Sequence, residues 1–260
     1  MSAEITKDNI NDILKDLGKE YRKRAGKQMP AEIVMTGGAA IIAKYGFRTT
    51  SYDIDAIIKA ASSLKDAALI IRDKYDLQQG WLNSDFKNTT SYSNKLYEHS
   101  HHYRTFANVL NIRIVDAEYL LATKLRAARP YKHDLSDIAG IIIEEKAHNP
   151  DFTKERVMNA YYDMYGKTTN PSKEAIICMN DAFSTEHPKE LIEKLNEKER
   201  NANKLLVDFQ TEYPNVLNDD NMSDILNNLK TKHEKRKQQA EDKFGHIQAN
   251  HPNTGLGLGE

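Results

Sequence analysis

The chain has 260 residues, of which 39% are hydrophobic and 29% are charged, and its formal net charge is −1. This balance excludes binding to nucleic acid through overall charge, so any such contact needs a local basic patch. The single cysteine, Cys178, excludes an internal disulfide framework and fits a reducing compartment. No apolar run reaches the roughly 20 residues of a membrane span, and the acidic, amphipathic start does not resemble a signal peptide, so we expect a cytoplasmic protein without membrane contact.

The first predicted elements alternate between helix and strand. Apolar residues recur at helical spacing over 9–25, and Asp8 or Asn9 is available as the N-cap. The segment "AEIVMTGG" predicts a buried strand that runs into the turn Gly37-Gly38. The segment "AAIIAKYG" then predicts a short helix, closed by Gly46 as a C-cap glycine.

The next segments predict a second strand, "YDIDAII", and a helix, "SSLKDAALIIRDKYD", in which Ser63 and Asp66 have the spacing of a capping box. Residues 80–104 are polar and aromatic, which indicates a functional loop or loosely paired strands. "NVLNIRIV" predicts a strand, Asp116 is placed to cap the helix "AEYLLATKLRAAR", and Pro130 ends that helix.

"DLSDIAGIIIEEK" predicts a further helix, and every pattern after residue 150 is helical. We therefore expect an α/β (α+β) fold in which a small mixed sheet flanked by helices occupies residues 1–148. An all-helical region should follow over 149–248, and 249–260 should be a flexible tail. Charges of both signs in 230–243 fit a solvated helix with local ion pairs, or else a basic face for RNA or a partner protein.

The second predicted strand carries the residues that bear most directly on function. Side chains at positions i and i+2 of a strand share a face, so Asp53 and Asp55 should project together while Ile54 enters the core. Two adjacent carboxylates repel, and a shared Mg²⁺ or Mn²⁺ relieves that repulsion. Gly37 and Gly38 lead into a helix whose first N–H groups favour phosphate.

Each half of this pattern also has a purely structural interpretation. A Gly-Gly pair after a strand can be only a turn, and an Asp-x-Asp triplet can cap a helix or lie on an edge strand. Their order along the chain, within apolar segments, predicts a metal and phosphate site.

The stretch "GGAAIIAKYGFRTTSYDID" resembles the signature of the DNA polymerase β-like nucleotidyltransferase superfamily. The later stretch "DAEYLLATKLRAARPYKHDLSDI" is similar to a motif of the minimal nucleotidyltransferases of the AbiEii/MenT toxin type and their relatives of undefined function. "GWLN" also recurs in those relatives. The resemblance covers roughly residues 30–145 and implies a nucleotidyltransferase fold there.

The resemblance implies a role for several residues, each taken at its matching position. Asp53 and Asp55 become the metal-binding carboxylates, and Lys124 becomes the cation that meets the triphosphate. Asp134 becomes the acidic residue of the second motif. The residues expected to bind nucleotide are those of the glycine turn and the segment after it, with the lysine: Gly37, Gly38, Arg48, Thr50 and Lys124. Without the motif, Lys124 would be read as a side chain that reaches from an apolar face to solvent.

The chain departs from the superfamily pattern at the third carboxylate, which normally lies on a later strand. The strand "NVLNIRIV" has no acid. The role of base then falls to Asp116, Asp85 or Asp134, or catalysis is weakened.

The segment "EHSHHYR" contains three histidines, which could suggest zinc, but the partner Cys or His spacing of zinc sites is missing. We therefore expect a solvated or substrate-facing loop. The tyrosines and basic residues around it fit the stacking and charge that single-stranded RNA ends require: Tyr92, Tyr97, Tyr103, Lys87, Lys95 and Arg104.

These features predict a metal-dependent nucleotidyltransferase that moves NMP from an NTP to an acceptor hydroxyl. The resemblance implies an RNA end, such as a tRNA acceptor stem, as the acceptor, and implies a toxin with a cognate antitoxin. A protein side chain is the other acceptor considered. The alternative is a catalytically weak regulatory protein on the same scaffold. It would bind nucleotide or a partner through residues 185–248.

Overall fold

The structure is a computed structural model that describes residues 2–218, 221–232 and 235. These residues form two compact units, divided between Glu197 and Lys198. The first unit contains a small mixed sheet together with helices, which confirms a mixed α/β class. The expected division after residue 148 stays a prediction.

The strands of the first unit are short, because polar or turn-forming residues interrupt the apolar runs. In chain order they are β1 (Ile5–Thr6), β2 (Ala31–Met35), β3 (Thr50–Ser51), β4 (Ile54–Lys59), β5 (Leu82–Asn83), β6 (Ser100–Phe106) and β7 (Leu110–Val115).

Five of these strands form one sheet, in the order β5-β4-β2-β7-β6. The central strand β2 runs antiparallel to β4 and parallel to β7. At the outer positions, β5 is parallel to β4 and β6 is antiparallel to β7. The short strands β1 and β3 form a separate antiparallel pair. This order puts the ends of β2, β4 and β5 that carry the polar residues next to one another.

The helices were predicted largely where they occur. They are α1 (Ile10–Ala25), α2 (Gly37–Lys44), α3 (Ser63–Tyr75), α4 (Lys95–Glu98), α5 (Ala117–Ala127), α6 (Asp134–His148), α7 (Lys154–Tyr165), α8 (Lys173–Ser184) and α9 (Pro188–Glu212), with a further helix over 222–232.

The core lies between the sheet and the helices of the first unit. Helix α1 buries one stripe, from Ile10 to Tyr21, at the helical spacing read from the sequence. The three residues Ile33, Val34 and Met35 of β2 are completely buried, as a central strand requires. Cys178 is buried in α8, and its thiol lies 3.3 Å from the carbonyl oxygen of Leu135.

Two predicted helix ends are wrong in detail. Helix α2 begins at Gly37 and ends at Lys44, and the chain leaves it through Tyr45 in an extended conformation, so Gly46 is not its C-cap. Helix α3 has Ser62 as its N-cap, in a helical backbone conformation and without a side-chain capping bond. A capping box of Ser63 and Asp66 requires Ser63 as the N-cap, but the helix begins one residue earlier. The capping box is therefore not formed.

The expected loop at "EHSHHYR" is wrong, since Glu98 ends α4 and residues 100–104 lie in the edge strand β6; the alternative of loosely paired strands over 80–104 fits this part. The side chains of β6 alternate between exposed and buried less regularly than in a central strand, and the register with β7 shifts between His102 and Arg104. The end of the predicted helical region, from 236 to 248, and the predicted tail over 249–260 lie outside the described residues.

Candidate functional site

The site is built where β2 ends and β4 begins. Because the two strands are antiparallel, Met35 is paired with Ala56, and the backbone N–H of Thr36 donates to the carbonyl oxygen of Asp55 at 2.9 Å. The chain then enters α2 at Gly37. The turn predicted to seat phosphate therefore lies directly against the strand that carries the two acids.

The glycines of this turn are required by their surroundings. Gly37 has φ +61, and a Cβ at this position would lie 3.0 Å from Oδ2 of Asp55. A Cβ on Gly38 would lie 2.7 Å from a terminal nitrogen of Arg48 and 2.9 Å from Oγ of Ser51. Only glycine allows Asp55 and Arg48 to approach the backbone this closely.

Asp53 and Asp55 flank the completely buried Ile54 and are themselves half-buried. Burial raises the pKa of the Asp55 carboxyl above its ordinary value, and the charge of Asp53 raises it further. Ser51 Oγ donates to the carbonyl oxygen of Asp53 at 3.1 Å. Two half-buried carboxylates that repel each other fit a divalent cation, because oxygen ligands of this kind are those that Mg²⁺ and Mn²⁺ prefer.

A buried ion network lies beside the acid pair. The Lys124 Nζ is 2.9 Å from Asp134 Oδ1 and 2.7 Å from Asp137 Oδ2. Lys124 is 7% exposed, Asp134 0% and Asp137 1%. The lysine belongs to α5 and both acids belong to α6, so the network joins these two helices.

Two arginines complete the network. Arg129 binds Asp134 through its Nε at 2.7 Å and through its backbone N–H at 3.1 Å. Arg48 donates from NH1 to Asp137 at 2.6 Å and from Nε to the carbonyl oxygen of Thr50 at 3.1 Å. Each acid of α6 is thus held by Lys124 and by one arginine.

The electrostatics keep these groups charged. Burial lowers the pKa of Lys124, but Asp137 and Asp134 outweigh it, so the pKa lies above its ordinary value. Burial raises the pKa of Asp134, but Lys124 and Arg129 hold it well below its usual range. The positive charges of Lys124 and Arg129 also lower the pKa of Asp55, which shows that the network and the acid pair share one electrostatic environment.

The structure brings most of the predicted site residues together. Gly37, Gly38, Arg48, Asp53 and Asp55 are neighbours. Lys124 and Asp134 join them through the ion network, and Thr50 contributes its backbone carbonyl to Arg48.

The three acids considered as the base differ in their surroundings. Asp134 is enclosed by cations, so it positions Lys124 and Arg129 and has no exposed surface with which to meet a substrate. Asp116 is the N-cap residue of α5, as predicted, and its carboxylate lies 2.8 Å from Nδ1 of His101. Asp85 is exposed in a short 3-10 helix, Asp85–Asn88.

Sequence reasoning missed three residues of the site: Asp137, Arg129 and Asn83. Asp137 follows Asp134 by three residues, a helical spacing that puts both acids on one face and could have revealed the pair. Arg129 lies at the end of α5, where its contact with the start of α6 depends on the turn between them. Asn83 is paired with Asp55 across the sheet, and only the strand register shows this.

The three histidines of "EHSHHYR" do not point to a common site. His101 binds Asp116, the His102 ring contacts Thr105 Oγ1 at 3.0 Å, and His99 stacks on Tyr119 with ring centroids 3.7 Å apart. In the part of the chain that the structure describes, no three His, Cys, Asp or Glu side chains are grouped to hold a metal ion. A two-carboxylate site completed by substrate phosphates is compatible with that finding.

The aromatic residues predicted to stack RNA bases are partly used inside the protein. The Lys59 Nζ lies 3.1 Å from the ring centroid of Tyr97, and the Arg113 guanidinium lies 5.7 Å from it. The Arg104 guanidinium lies 5.8 Å from the ring centroid of Tyr103. Because Tyr97 and Tyr103 already contact cations of the protein itself, cation–π contacts within the fold also account for the basic and aromatic residues here.

A cleft of about 600 Å³ is lined by residues of α5, α6 and α7 and by Asp116. Its charged side chains pair with one another: Arg156 binds Glu118, and Lys44 binds Glu145 at 2.6 Å. The acid pair and the glycine turn do not line it. Despite its volume, this cleft is therefore not the centre of the candidate site.

Comparisons with known proteins found no match to this chain among protein-family models, curated proteins or solved structures. Among the described residues, no helix has both the length and the apolar character needed to cross a membrane.

Proposed function

We propose that the protein is a metal-dependent nucleotidyltransferase, which moves a nucleoside monophosphate from an NTP to an acceptor hydroxyl and releases pyrophosphate. The observation that carries the proposal is the contact between the acid pair and the glycine turn. Asp55 lies against Gly37, where a Cβ would come within 3.0 Å of its Oδ2, and Asp53 lies beside it on the same segment.

Asp53 and Asp55 would hold Mg²⁺ or Mn²⁺, an ion that neutralises phosphate charge and polarises the phosphorus–oxygen bonds when it is bound. The backbone N–H groups at the start of α2 would bind phosphate at Gly37 and Gly38. Arg129 is 37% exposed in its side chain, so it can meet a phosphate while it holds Asp134.

The proposed reaction is an in-line displacement. The acceptor oxygen forms a bond to the α-phosphorus, and the bond from that phosphorus to the bridging oxygen of the β-phosphate breaks. The proton of the hydroxyl leaves to a base, and the bridging oxygen departs with pyrophosphate. Lys124 keeps Asp134 and Asp137 fixed during this step, and its positive charge favours the anionic transition state.

For the acceptor we propose an RNA end, such as a tRNA acceptor stem, and we propose that the protein is the toxin of a toxin–antitoxin pair. Both parts rest on the resemblance of residues 116–138 and of the segment "GWLN" to the minimal toxin-like nucleotidyltransferases. A small reading frame directly upstream of the gene, whose product binds this chain, would support the antitoxin.

The test is incubation of the purified protein with total tRNA, Mg²⁺ and each labelled NTP in turn. The parent protein should transfer label to RNA, and Asp53→Ala and Asp55→Ala should lose at least about 100-fold of that rate, because the metal-binding charge is removed. Asp66→Ala is a matched control, since it removes an exposed acid from α3. Transfer by Asp53→Ala at the parent rate would refute the proposal.

A second candidate function is nucleotide binding without turnover. It is favoured by one observation: two of the acids considered as the base are already engaged, Asp134 with cations and Asp116 with His101. Calorimetry with NTP and Mg²⁺ separates the two functions. Binding without pyrophosphate release, across a panel of RNA acceptors, would favour this second candidate.

A further inference from the structure

Asn83 occupies the position in the sheet directly beside Asp55. It is the last residue of β5, and in the parallel pairing of β5 with β4 it is the partner of Asp55. Paired residues of neighbouring strands project to the same face of a sheet. The Asn83 amide and the Asp55 carboxylate therefore share the face on which a divalent cation would be held.

The orientation of the Asn83 amide is fixed by the backbone around it. Its Oδ1 accepts a hydrogen bond from the N–H of Asp85 at 2.9 Å, and its Nδ2 donates to the carbonyl oxygen of Gly80 at 3.2 Å. The strand register places this amide next to the Asp55 carboxyl, and the amide lowers the pKa of that carboxyl against the larger effect of burial. Asp55 therefore lies between the Asn83 position on β5 and the backbone of Gly37.

The charges around the acid pair nearly cancel. Four carboxylates (Asp53, Asp55, Asp134 and Asp137) lie with the three cations Arg48, Lys124 and Arg129, a net charge of −1 for these seven side chains. Affinity for a divalent cation depends on the number of charged ligands, and Mg²⁺ is typically held by one or two carboxylates together with substrate phosphates.

We propose that Asn83 is a positioning residue, which orients Asp55 and keeps the site at two carboxylates, so that the divalent cation enters together with the phosphates of the nucleotide. The part of this inference that concerns nucleotide rests on the proposed function. The part that concerns Asn83 and the cation stands on the strand register and the hydrogen bonds of the amide alone.

The experiment is a titration with Mn²⁺ followed by electron paramagnetic resonance, with and without a non-hydrolysable NTP analogue. The parent protein should bind Mn²⁺ weakly alone and at least about 10-fold more tightly with the analogue. Asn83→Asp adds a third carboxylate beside Asp55, so it should bind Mn²⁺ alone about 10-fold more tightly than the parent. Asn83→Ala should bind Mn²⁺ with the analogue several-fold more weakly, because Asp55 loses its donor.

Asn108→Asp is the matched control, since it adds the same charge at the exposed turn between β6 and β7. Its Mn²⁺ affinity should equal that of the parent. Thermal unfolding of each variant separates an effect on the site from a loss of fold, and Asn83→Ala decides the question where Asn83→Asp does not fold.

The inference is overturned if Asn83→Asp binds Mn²⁺ no more tightly than the parent, or if Asn83→Ala binds it as the parent does. A different result would count against the proposed function instead. If Asn83→Asp gains affinity for Mn²⁺ while the NTP analogue has no effect on any variant, then the role of Asn83 stands and nucleotide is not the ligand.

Discussion

At the scale of single residues, Gly37 joins backbone conformation to the chemistry of the site. Its φ of +61 is unfavourable for any residue with a Cβ, and a Cβ there would also press on Asp55 at 3.0 Å. Gly26 at the end of α1 also has a positive φ, +81, but a Cβ there would meet nothing within 4 Å. A comparison of the two positions therefore distinguishes the effect of backbone strain from the effect of contact with Asp55.

Replacement of Gly37 by alanine should therefore have two effects, and replacement of Gly26 only one. Both variants should lose about 1–3 kcal/mol of unfolding free energy, measured by urea denaturation, because each forces a strained backbone conformation. Only Gly37→Ala should also lose at least about 10-fold of Mn²⁺ affinity, because it displaces Asp55. Equal Mn²⁺ binding in the two variants would contradict the contact with Asp55.

Loss of the buried cation of Lys124 should be costly to stability. In Lys124→Met, Asp134 and Asp137 keep their arginines but lose the buried cation between them, which should cost about 3 kcal/mol of unfolding free energy. Lys44→Met breaks the pair with Glu145, in which the lysine is 30% exposed, and should cost less than about 1 kcal/mol. Similar losses for the two variants in urea denaturation would show that the network around Lys124 is not effectively buried.

Residue patterns alone predicted part of this site. Two acids separated by one residue, after a glycine turn and within apolar segments, were enough to indicate Asp53 and Asp55 as a pair. Asn83 appeared there only as the last residue of "GWLN" and was given no role, because its position beside Asp55 depends on the register between β4 and β5, which are short and far apart in sequence.

At the scale of whole elements, sequence patterns indicated β6 only through the loosely paired strands considered as the alternative to a loop over residues 80–104. Its segment is polar and rich in histidine, because an edge strand leaves many side chains exposed and the apolar alternation is lost. The central strand β2 was predicted because burial on both faces requires a nearly continuous apolar run, and β7 was predicted because its buried apolar residues alternate with Asn111 and Arg113. The strands at the edges of this sheet were therefore the least predictable part of the fold.

The contact between α1 and β6 gives a prediction for this edge. A Cβ on Gly18 would lie 2.9 Å from Cβ of Phe106 and 3.2 Å from its carbonyl oxygen. Alanine normally stabilises a helix by up to about 1 kcal/mol relative to glycine. Gly18→Ala should instead destabilise the protein by about 1–3 kcal/mol, because the helix must move away from the strand. A raised melting temperature for Gly18→Ala would show that α1 can shift from β6 without cost.

At the scale of the whole molecule, buried carboxylates make stability depend on pH. The pKa of Asp134 in the folded protein lies well below its ordinary value of 3.8, because Lys124 and Arg129 outweigh burial. This carboxylate contributes stability above pH 3.8 that is lost as the pH falls towards the lower, folded pKa.

The contribution of Asp134 to the midpoint of urea denaturation should accordingly be nearly constant above about pH 5. The midpoint should then fall steadily below pH 3.8. Because Asp134 is buried, this fall should persist in 0.5 M salt. At that salt concentration the screening length for exposed charges is about 4 Å, so interactions between exposed charges farther apart are weakened. A midpoint that stays unchanged between pH 5 and pH 2 would contradict the buried ion pair.

The link between Arg48 and Asp137 spans 89 residues of sequence. During synthesis at about 5–20 residues per second, a nascent chain carries Arg48 for roughly 4–18 s before Asp137 is made. Until then neither Arg48 nor Lys124 has its acidic partners from α6, so the arginine beside the glycine turn is not yet held by Asp137. A chain that ends before α6 is therefore expected to lack the ion network that fixes Arg48 and Lys124 in place.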